Sequence, residues 1–570
     1  MISIENIQNL FAQQQYNQAK NLVCQFLTHQ PQNPTALEIL GCIYFYENNF
    51  YNAKKFLKQA IKFNPQADQS YLFLGKCYQF LKQPAQIVTA KNFYEIALNL
   101  NPQNLTAANL LFGVLTQMGL SETAVKIMNK YFDGEQNELK RCNANIVFSN
   151  YCANVKIHDM QRIAKEFSAV ISKYCKPLEN FKYANLSAKH KQKLKQLKKL
   201  NIGIVYPFAS ATSANTFLCS VLRGLKKINA AFDFYLYYFS GVDEFNKHLN
   251  IPNFFVSQKQ IITPNLSYEE IVSEIRNDDI HILLDLAGHT SHARIAMYAY
   301  RAAPVQITWI GYLATTGIPG MDYFCADPFS VPNKYSEQQF SEQVLYFPHV
   351  WECYLPPADI LQAFKKRPFD ENKKTMIFGN FNTPDKITPQ TLDLWAKVLN
   401  AVPNSHLIYM RISLQDSSLC KYYLQELAKR GVADLSRIHL IANLTREEYL
   451  SAYNLVDFVL DAFPCSGMAS VADALAIGVP VLTLIGERMP SRLAGSCLKA
   501  VGLDNWICQS PEEFVEKAKY FSAPEQQKYL NDLHNNLREK TLKSPLCDAE
   551  LFAKNFEIKM WEVWNKFLEE

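Results

Sequence analysis

The sequence predicts a helical solenoid followed by two consecutive α/β domains, each built on a parallel sheet. Three observations carry that expectation. Small residues and prolines recur near a 34-residue spacing through the first quarter of the chain. After Leu200 the pattern changes to short, β-branched apolar runs that alternate with helical stretches, as βαβ units require. A second series of such runs follows a proline-containing stretch at 356–368, a plausible hinge.

The repeat comes first. Pro31 and Pro65 lie 34 residues apart and Pro102 follows 37 later, while Gly41 and Gly75, and Ala19 and Ala53, are each 34 apart. Each unit reads as two apolar-periodic helices with a small residue where they cross and an Asn-Pro pair at the close. The residue before proline avoids the α region, so that pair ends the unit. Period and small-large-Pro pattern resemble the tetratricopeptide repeat, with about four units in residues 1–137 and the terminal ones least regular. Such arrays build concave surfaces, which predicts a groove for a peptide or a partner protein.

Residues 138–199 read as a helical linker ending in KHKQKLKQLKKL. Six lysines there are not interleaved with aromatics, so the run lacks the stacking platform of a single-strand nucleic-acid site and reads as a solvated helix. The runs LNIGIVY, FDFYLYYF, HILLDLAG and PVQITWIGY place a first sheet in 200–365. The runs TMIFGNFN, SHLIYMRI, RIHLIANL, VDFVLDAF and VPVLTLIG place a second in 366–570, with a closing C-terminal helix assigned to it. Ligands of parallel sheets sit beyond the carboxyl ends of the strands. Candidate residues are therefore those just after each run: AGHTSHAR, GYLATTG, GNFNTPDK, LTREEY and AFPCSGMASVAD. In the last of these the chain turns through Ser466-Gly467 and enters a helix near Ser470. A helix start reached by a small-residue turn suits an anion, whereas Ser470-x-x-Asp473 equally fits a plain helix cap.

Composition narrows the field. At 570 residues with 48% hydrophobic and 13% aromatic content, the chain has ample core-forming material, which excludes intrinsic disorder. A formal charge of +5 over that length gives no reason to expect nucleic acid or an anionic membrane as partner. No run is long and apolar enough for a membrane span, and the start lacks a secretory pattern. The fourteen cysteines are scattered singly, as reduced core thiols would be. A soluble, cytoplasmic protein is the expectation. GxxxxGK[ST] is absent, as is GxGxxG after a strand, which argues against a P-loop ATPase and a simple dehydrogenase.

Several blocks resemble one family. DLAGHTSHARIAMYAYRAAPVQITWIGYLATTGIPGMDY, FGNFNTPDKITPQTLDLWAKVLNAVPNSHL and LDAFPCSGMASVADALAIGVPVLTLIGERMPSRLAGS are similar to the O-GlcNAc transferase/SPINDLY-like glycosyltransferases. The resemblance covers roughly residues 200–570, and tetratricopeptide repeats usually precede that region in the family. It implies a GT-B pair of Rossmann-like domains that transfers a sugar, with inversion and without a metal, from a nucleotide sugar to Ser or Thr of a protein. The co-substrate implied is a UDP-sugar, UDP-GlcNAc foremost, with no further cofactor. The protein or peptide acceptor is expected along the repeat groove.

Matched by motif, Lys386 is the lysine on the donor diphosphate, with Thr383 beside it. Asp473 matches the acid that accepts ribose hydroxyls, and Ser470 a threonine on the phosphates. Leu444 by its backbone, Arg446 and Tyr449 fall in the nucleoside stretch, where Tyr449 is expected to stack on the base. Gly311 and Leu313 fall in the loop against the sugar. His289 matches a histidine of the GHT motif and is a candidate for proton transfer or acceptor binding. The chain also departs from the family: Thr212 stands where a histidine is usual, Leu313 replaces a proline, and Met468-Ala469 replaces the residues before the phosphate hydroxyl. These departures leave two alternatives open. One is transfer of another sugar (glucose, or fucose from GDP-fucose, which SPINDLY-like members use) or transfer to Asn; the other is a repeat scaffold with impaired catalysis.

Overall fold

The computed structural model describes residues 2–80, 86–179, 181–184, 186–208, 213–290, 294–370, 373, 375–442 and 445–570. Eight helices form four antiparallel pairs over the repeat: Ile4–Ala12 with Tyr16–His29, Pro34–Tyr46 with Phe50–Phe63, Asp68–Gln79 with Ile87–Leu100, and Leu105–Gln117 with Ser121–Tyr131. The recurring small residues sit where paired helices touch. A Cβ on Gly75 would lie 2.3 Å from the Tyr94 ring, so that crossing admits only hydrogen. The helices before Pro65 and Pro102 end at Asn64 and Asn101, both in extended backbone, as the proline demands.

The first sheet contains β1 (Leu200–Tyr206), β2 (Phe232–Tyr238), β3 (Ser257–Lys259), β4 (Ile282–Asp285), β5 (Val305–Thr308), β6 (Tyr323–Ala326) and β7 (Gln343–Tyr346). Its order is β3-β2-β1-β4-β5-β6-β7, all pairs parallel. The second contains β8 (Met376–Asn380), β9 (Ser405–Met410), β10 (Ile438–Ile441), β11 (Phe458–Leu460), β12 (Val481–Leu484) and β13 (Ile507–Cys508), in the order β10-β9-β8-β11-β12-β13. Its pairs are parallel too. In each sheet the order reverses between its first and fourth strands, which opens a crevice at their carboxyl ends. In the first sheet that crevice follows Tyr206 and Asp285; in the second it follows Asn380 and Leu460.

Two domain expectations change. The C-terminal helix, Ala549–Glu569, packs on the first sheet's domain and not the second's. Phe556 meets Trp309 and Phe232, Phe552 stacks on Phe347, and Trp564 meets His281. The apolar face of that helix is legible in sequence, but its partner is not. Residues 138–174, expected as part of a helical linker, are wedged against both sheets. Tyr312 Oη donates to Ile146 O at 3.1 Å, and the buried Arg488 guanidinium donates to Ser149 O at 2.8 Å. Only Ala188–Leu194 of the lysine run is helical, and its lysines are largely exposed.

The repeat array is also joined to the second sheet. Asp416 caps its own helix, Ser417–Lys429, by accepting from Ser418 N and Leu419 N, and its second oxygen accepts from Ile87 N at 2.7 Å. Helix Ile87–Leu100 has no side-chain cap within the array, so a carboxylate from the other domain supplies it. All fourteen cysteines are free and twelve are buried.

Candidate active site

A cleft of about 440 Å3 lies between the two sheets. One wall comes from the first sheet: Phe208 after β1, Thr290 after β4, and Ile310, Gly311 and Leu313 after β5. The facing wall comes from the second: Asn382, Thr383 and Lys386 after β8, Arg411 after β9, and Met468, Ala469 and Ser470 after β11. Both sheets thus present the carboxyl ends of their strands to one space.

The lysine loop is built by local rules. β8 ends at Asn380, whose amide donates to Leu460 O on β11 and accepts from Asn382 N. Pro384 opens one turn of 3-10 helix that ends at Lys386. Lys386 Nζ donates to Ser466 O at 2.7 Å, which aims the ammonium at the small-residue turn. Thr388 then caps helix Pro389–Ala401.

The turn at 466–468 leads into helix Ala469–Ile477. Met468 occupies the cap position and gives no side-chain cap, so the helix start is bare on its cleft side. Ser470 is not a cap but lies inside the first turn, its Oγ donating to Asn382 Oδ1 at 3.0 Å. That corrects the capping-box reading of Ser470-x-x-Asp473. Beneath the turn, Asp461 accepts from Gly467 N at 2.9 Å, Asn382 Nδ2 at 3.1 Å and Thr483 Oγ1 at 2.8 Å. Burial pushes this carboxyl up, and those donors pull it back.

Arg411 adds a second cation to the cleft wall. Its Nε is enclosed and has no hydrogen-bond partner among the described residues. Opposite, Ile310 has φ +74°, and Gly311 N donates back to Trp309 O at 3.1 Å. A β-branched residue at the centre of this rare form of γ-turn is strained. The strain sits on the cleft wall, where such outliers concentrate. A Cβ on Gly311 would lie 1.9 Å from Leu286 O, so the loop after β5 touches the loop after β4 backbone to backbone.

Asp473 is 9% exposed. Burial pushes its carboxyl up to about 6, against the opposing pull of the Tyr354 hydroxyl and then Arg446. Tyr354 Oη donates to Oδ1, and Arg446 lies 4.0 Å from Oδ2. Arg446 is exposed, paired with Asp359, and spread over the Tyr449 ring.

Two expected roles do not fit this geometry. Tyr449 is 6% exposed, its ring edge-on to Phe381 and Tyr453 and its hydroxyl bonded to Tyr453 at 2.9 Å. The ring is a core element that supports Arg446, and no face is open to a base. His289 was expected to face the cleft, but Thr290 does so in its place. The His289 imidazole lies between Phe167 and Tyr312, with Nε2 donating to Thr316 O at 2.7 Å and Nδ1 3.0 Å from the Asn143 side chain. Burial lowers it to about 4, so it is neutral near pH 7. Nε2 carries the proton to the Thr316 carbonyl, and the Asn143 atom beside Nδ1 is the amide oxygen Oδ1. His289 thereby fastens the first sheet to helix Glu138–Phe148. Replacing it with alanine is expected to cost about 1–3 kcal/mol in urea unfolding, through unpaired buried groups. It should add no titration near pH 6.5 to the activity profile. Thr212, His292 and Leu444 lie outside the described residues.

Asn382, Arg411, Asp461, Ile310 and Tyr354 were not singled out from sequence. Arg411 was within reach, since it follows β9 as closely as the lysine loop follows β8. Among the described residues no cluster of three or more His, Cys, Asp or Glu is arranged to hold a metal, and no helix is long and apolar enough to cross a membrane.

Two doubly wound sheets that open their crevices onto a shared cleft place the chain in the GT-B class. More narrowly, it belongs to glycosyl transferase family 41, whose model matches residues 158–355 and 356–556, and a tetratricopeptide repeat model matches 34–66. Relatives include the probable UDP-N-acetylglucosamine–peptide N-acetylglucosaminyltransferase SPINDLY of Solanum lycopersicum. It is 34% identical over 300 residues, covering 52% of this chain and 32% of that protein. The SEC protein of Arabidopsis thaliana, whose name describes the same activity, is 31% identical over 310 residues, 53% of this chain and 31% of its own. The match thus spans about a third of these relatives' length. An O-GlcNAc transferase mutant structure from Thermobaculum terrenum superposes with a TM-score of 0.75 over 94% of this chain and 98% of that one. At 23% identity that likeness concerns the fold.

Proposed function

We propose that the chain transfers N-acetylglucosamine from UDP-GlcNAc to a serine or threonine hydroxyl of a polypeptide. The observation that carries this reading is the convergence of Lys386, Arg411 and the bare start of helix Ala469–Ile477 on one cleft wall. Two cations and a helix start suit a diphosphate, and the glycine-containing loop opposite leaves room for a sugar. The names of the relatives supply the nucleotide and the sugar.

In this reading the acceptor oxygen attacks the anomeric carbon as the bond to the diphosphate breaks. Lys386 and the helix N–H groups offset the charge that builds on the departing phosphate oxygen. The hydroxyl proton passes to a phosphate oxygen of the donor, because His289 is turned away and neutral. The nucleoside lies over Arg446, and its ribose hydroxyls donate to Asp473.

Asp473 gives the donor site a pH signature. Ribose hydroxyls bond best to the ionised carboxylate, so below about pH 6 binding must first release its proton. UDP affinity, measured by calorimetry, is expected to weaken as pH falls through 6 and to level off above it, and Asp473→Asn should flatten the profile. The function itself is tested by intact-mass analysis of acceptor polypeptides co-expressed with the wild type and with Lys386→Ala. A lysine-dependent mass increase of one N-acetylhexosamine is expected. Increments of another sugar would move the donor to the second reading, for which Leu313 and Met468-Ala469 on the cleft wall speak.

A further inference from the structure

A second cavity of about 500 Å3 lies behind the lysine loop, on the seam between the repeats and the second sheet. Ile87, Thr116 and Phe148 form its repeat side, and Asp385, Ile412 and Leu419 its sheet side. Cavity and cleft share two stretches of chain. Pro384 and Asp385 line the cavity while Thr383 and Lys386 line the cleft; likewise Arg411 lines the cleft while Ile412 and Ser413 line the cavity. Ile412 is 60% exposed, a large apolar side chain left in water on the cavity wall. The Ser413 Oγ is enclosed and has no hydrogen-bond partner among the described residues.

We infer that this cavity is an acceptor subsite, which holds a short apolar segment of the polypeptide being glycosylated. The inference rests on the transferase reading above. A volume of this size takes a ligand the size of a short peptide segment, and its apolar walls reward an aliphatic or aromatic side chain. Position favours a polypeptide occupant: the repeats wall one side of the cavity, and the two stretches of chain that also line the cleft wall the other. Charge refines the selection further. The wall carries the carboxylates of Asp385 and Asp416 and no lysine or arginine, so an acidic segment is rejected there.

The test uses short peptides with one central serine, scanned at each flanking position with Leu, Phe, Lys and Asp, with UDP-GlcNAc as donor. UDP release without peptide is followed in parallel. The full-length chain is expected to favour Leu or Phe over Asp at one fixed spacing from the serine. Ile412→Glu and Gln117→Trp, both changes at exposed positions on the cavity wall, should each lower kcat/KM for the favoured peptides by about tenfold. Donor hydrolysis should stay unchanged. Equal use of all flanks by the wild type, or a preference that survives both variants, overturns the inference while leaving the transferase reading in place. Binding of a free apolar dye in the cavity with no effect on peptide preference also overturns it, in favour of a small-molecule site. Absence of both hydrolysis and transfer with the wild type would overturn the transferase reading and, with it, this inference.

Discussion

Lys386→Ala is expected to lower sugar transfer by about a thousandfold, with little change in stability. The structural role of the ammonium is small. It makes one hydrogen bond, to Ser466 O, from a half-buried position at the end of a single 3-10 turn. Losing such a bond costs about 0.5–1.5 kcal/mol, a modest shift in a denaturant midpoint. Its electrostatic role in the proposed transfer is larger, because the charge on a departing diphosphate would develop inside a cleft where water is displaced. There a fixed cation is worth far more than in bulk. Lys386→Arg separates charge from shape. The planar guanidinium keeps the charge but spreads it over a rigid fork that the Ser466 turn does not fit, so only partial recovery is expected. Single-turnover kinetics with saturating donor, alongside urea melts, would read both effects. Wild-type turnover in Lys386→Ala would sink the assignment of this wall to the leaving group.

The contrast between Lys386 and His289 shows what sequence conveys and what it does not. Mostly apolar strands announced themselves, because β1, β4, β5, β8 and β12 are buried along nearly their whole length and carry few polar residues. From them the carboxyl-end loops followed, and the structure gathers Thr383, Lys386, Ser470, Gly311 and Leu313 on one cleft. β3, β6, β7 and β13 escaped notice, since Ser257–Lys259 is polar, Tyr323–Ala326 and Gln343–Tyr346 are four residues each and Ile507–Cys508 is only two residues long. Side-chain direction was also hidden. His289 precedes a cleft residue by one position, but Phe167 and Tyr312 close around its ring, and both come from segments remote in sequence. Tyr449 is likewise taken into the core by Phe381 and Tyr453. Spacing along the chain fixes which loop a residue occupies; packing between segments fixes which way it turns.

The same reasoning makes Asp461 the more consequential of the residues that spacing did not single out. It sits at the end of β11 in the run VDFVLDAF, 1% exposed, and its two oxygens bind three separate pieces of the site. Asn382 belongs to the lysine loop, Gly467 to the turn before the helix start, and Thr483 to β12. Removing the carboxylate therefore strands buried donors on three segments at once, in a place water does not reach. Asp461→Ala is expected to cost about 3–5 kcal/mol, at about 1–3 kcal/mol for each buried donor left without its acceptor. The loss should also reach function. Ser470 accepts its place from Asn382, and Lys386 aims at Ser466, so a loosened turn unsettles both. UDP binding is expected to fall even under conditions where the variant stays folded. Asp461→Asn makes the argument specific: it keeps the volume, yet its NH2 group must face one of three donors. It should fall between wild type and alanine in urea unfolding, and lose UDP affinity in the same order. An Asp461→Ala protein as stable as the wild type would show that the lysine loop and the helix turn hold their positions without the carboxylate between them.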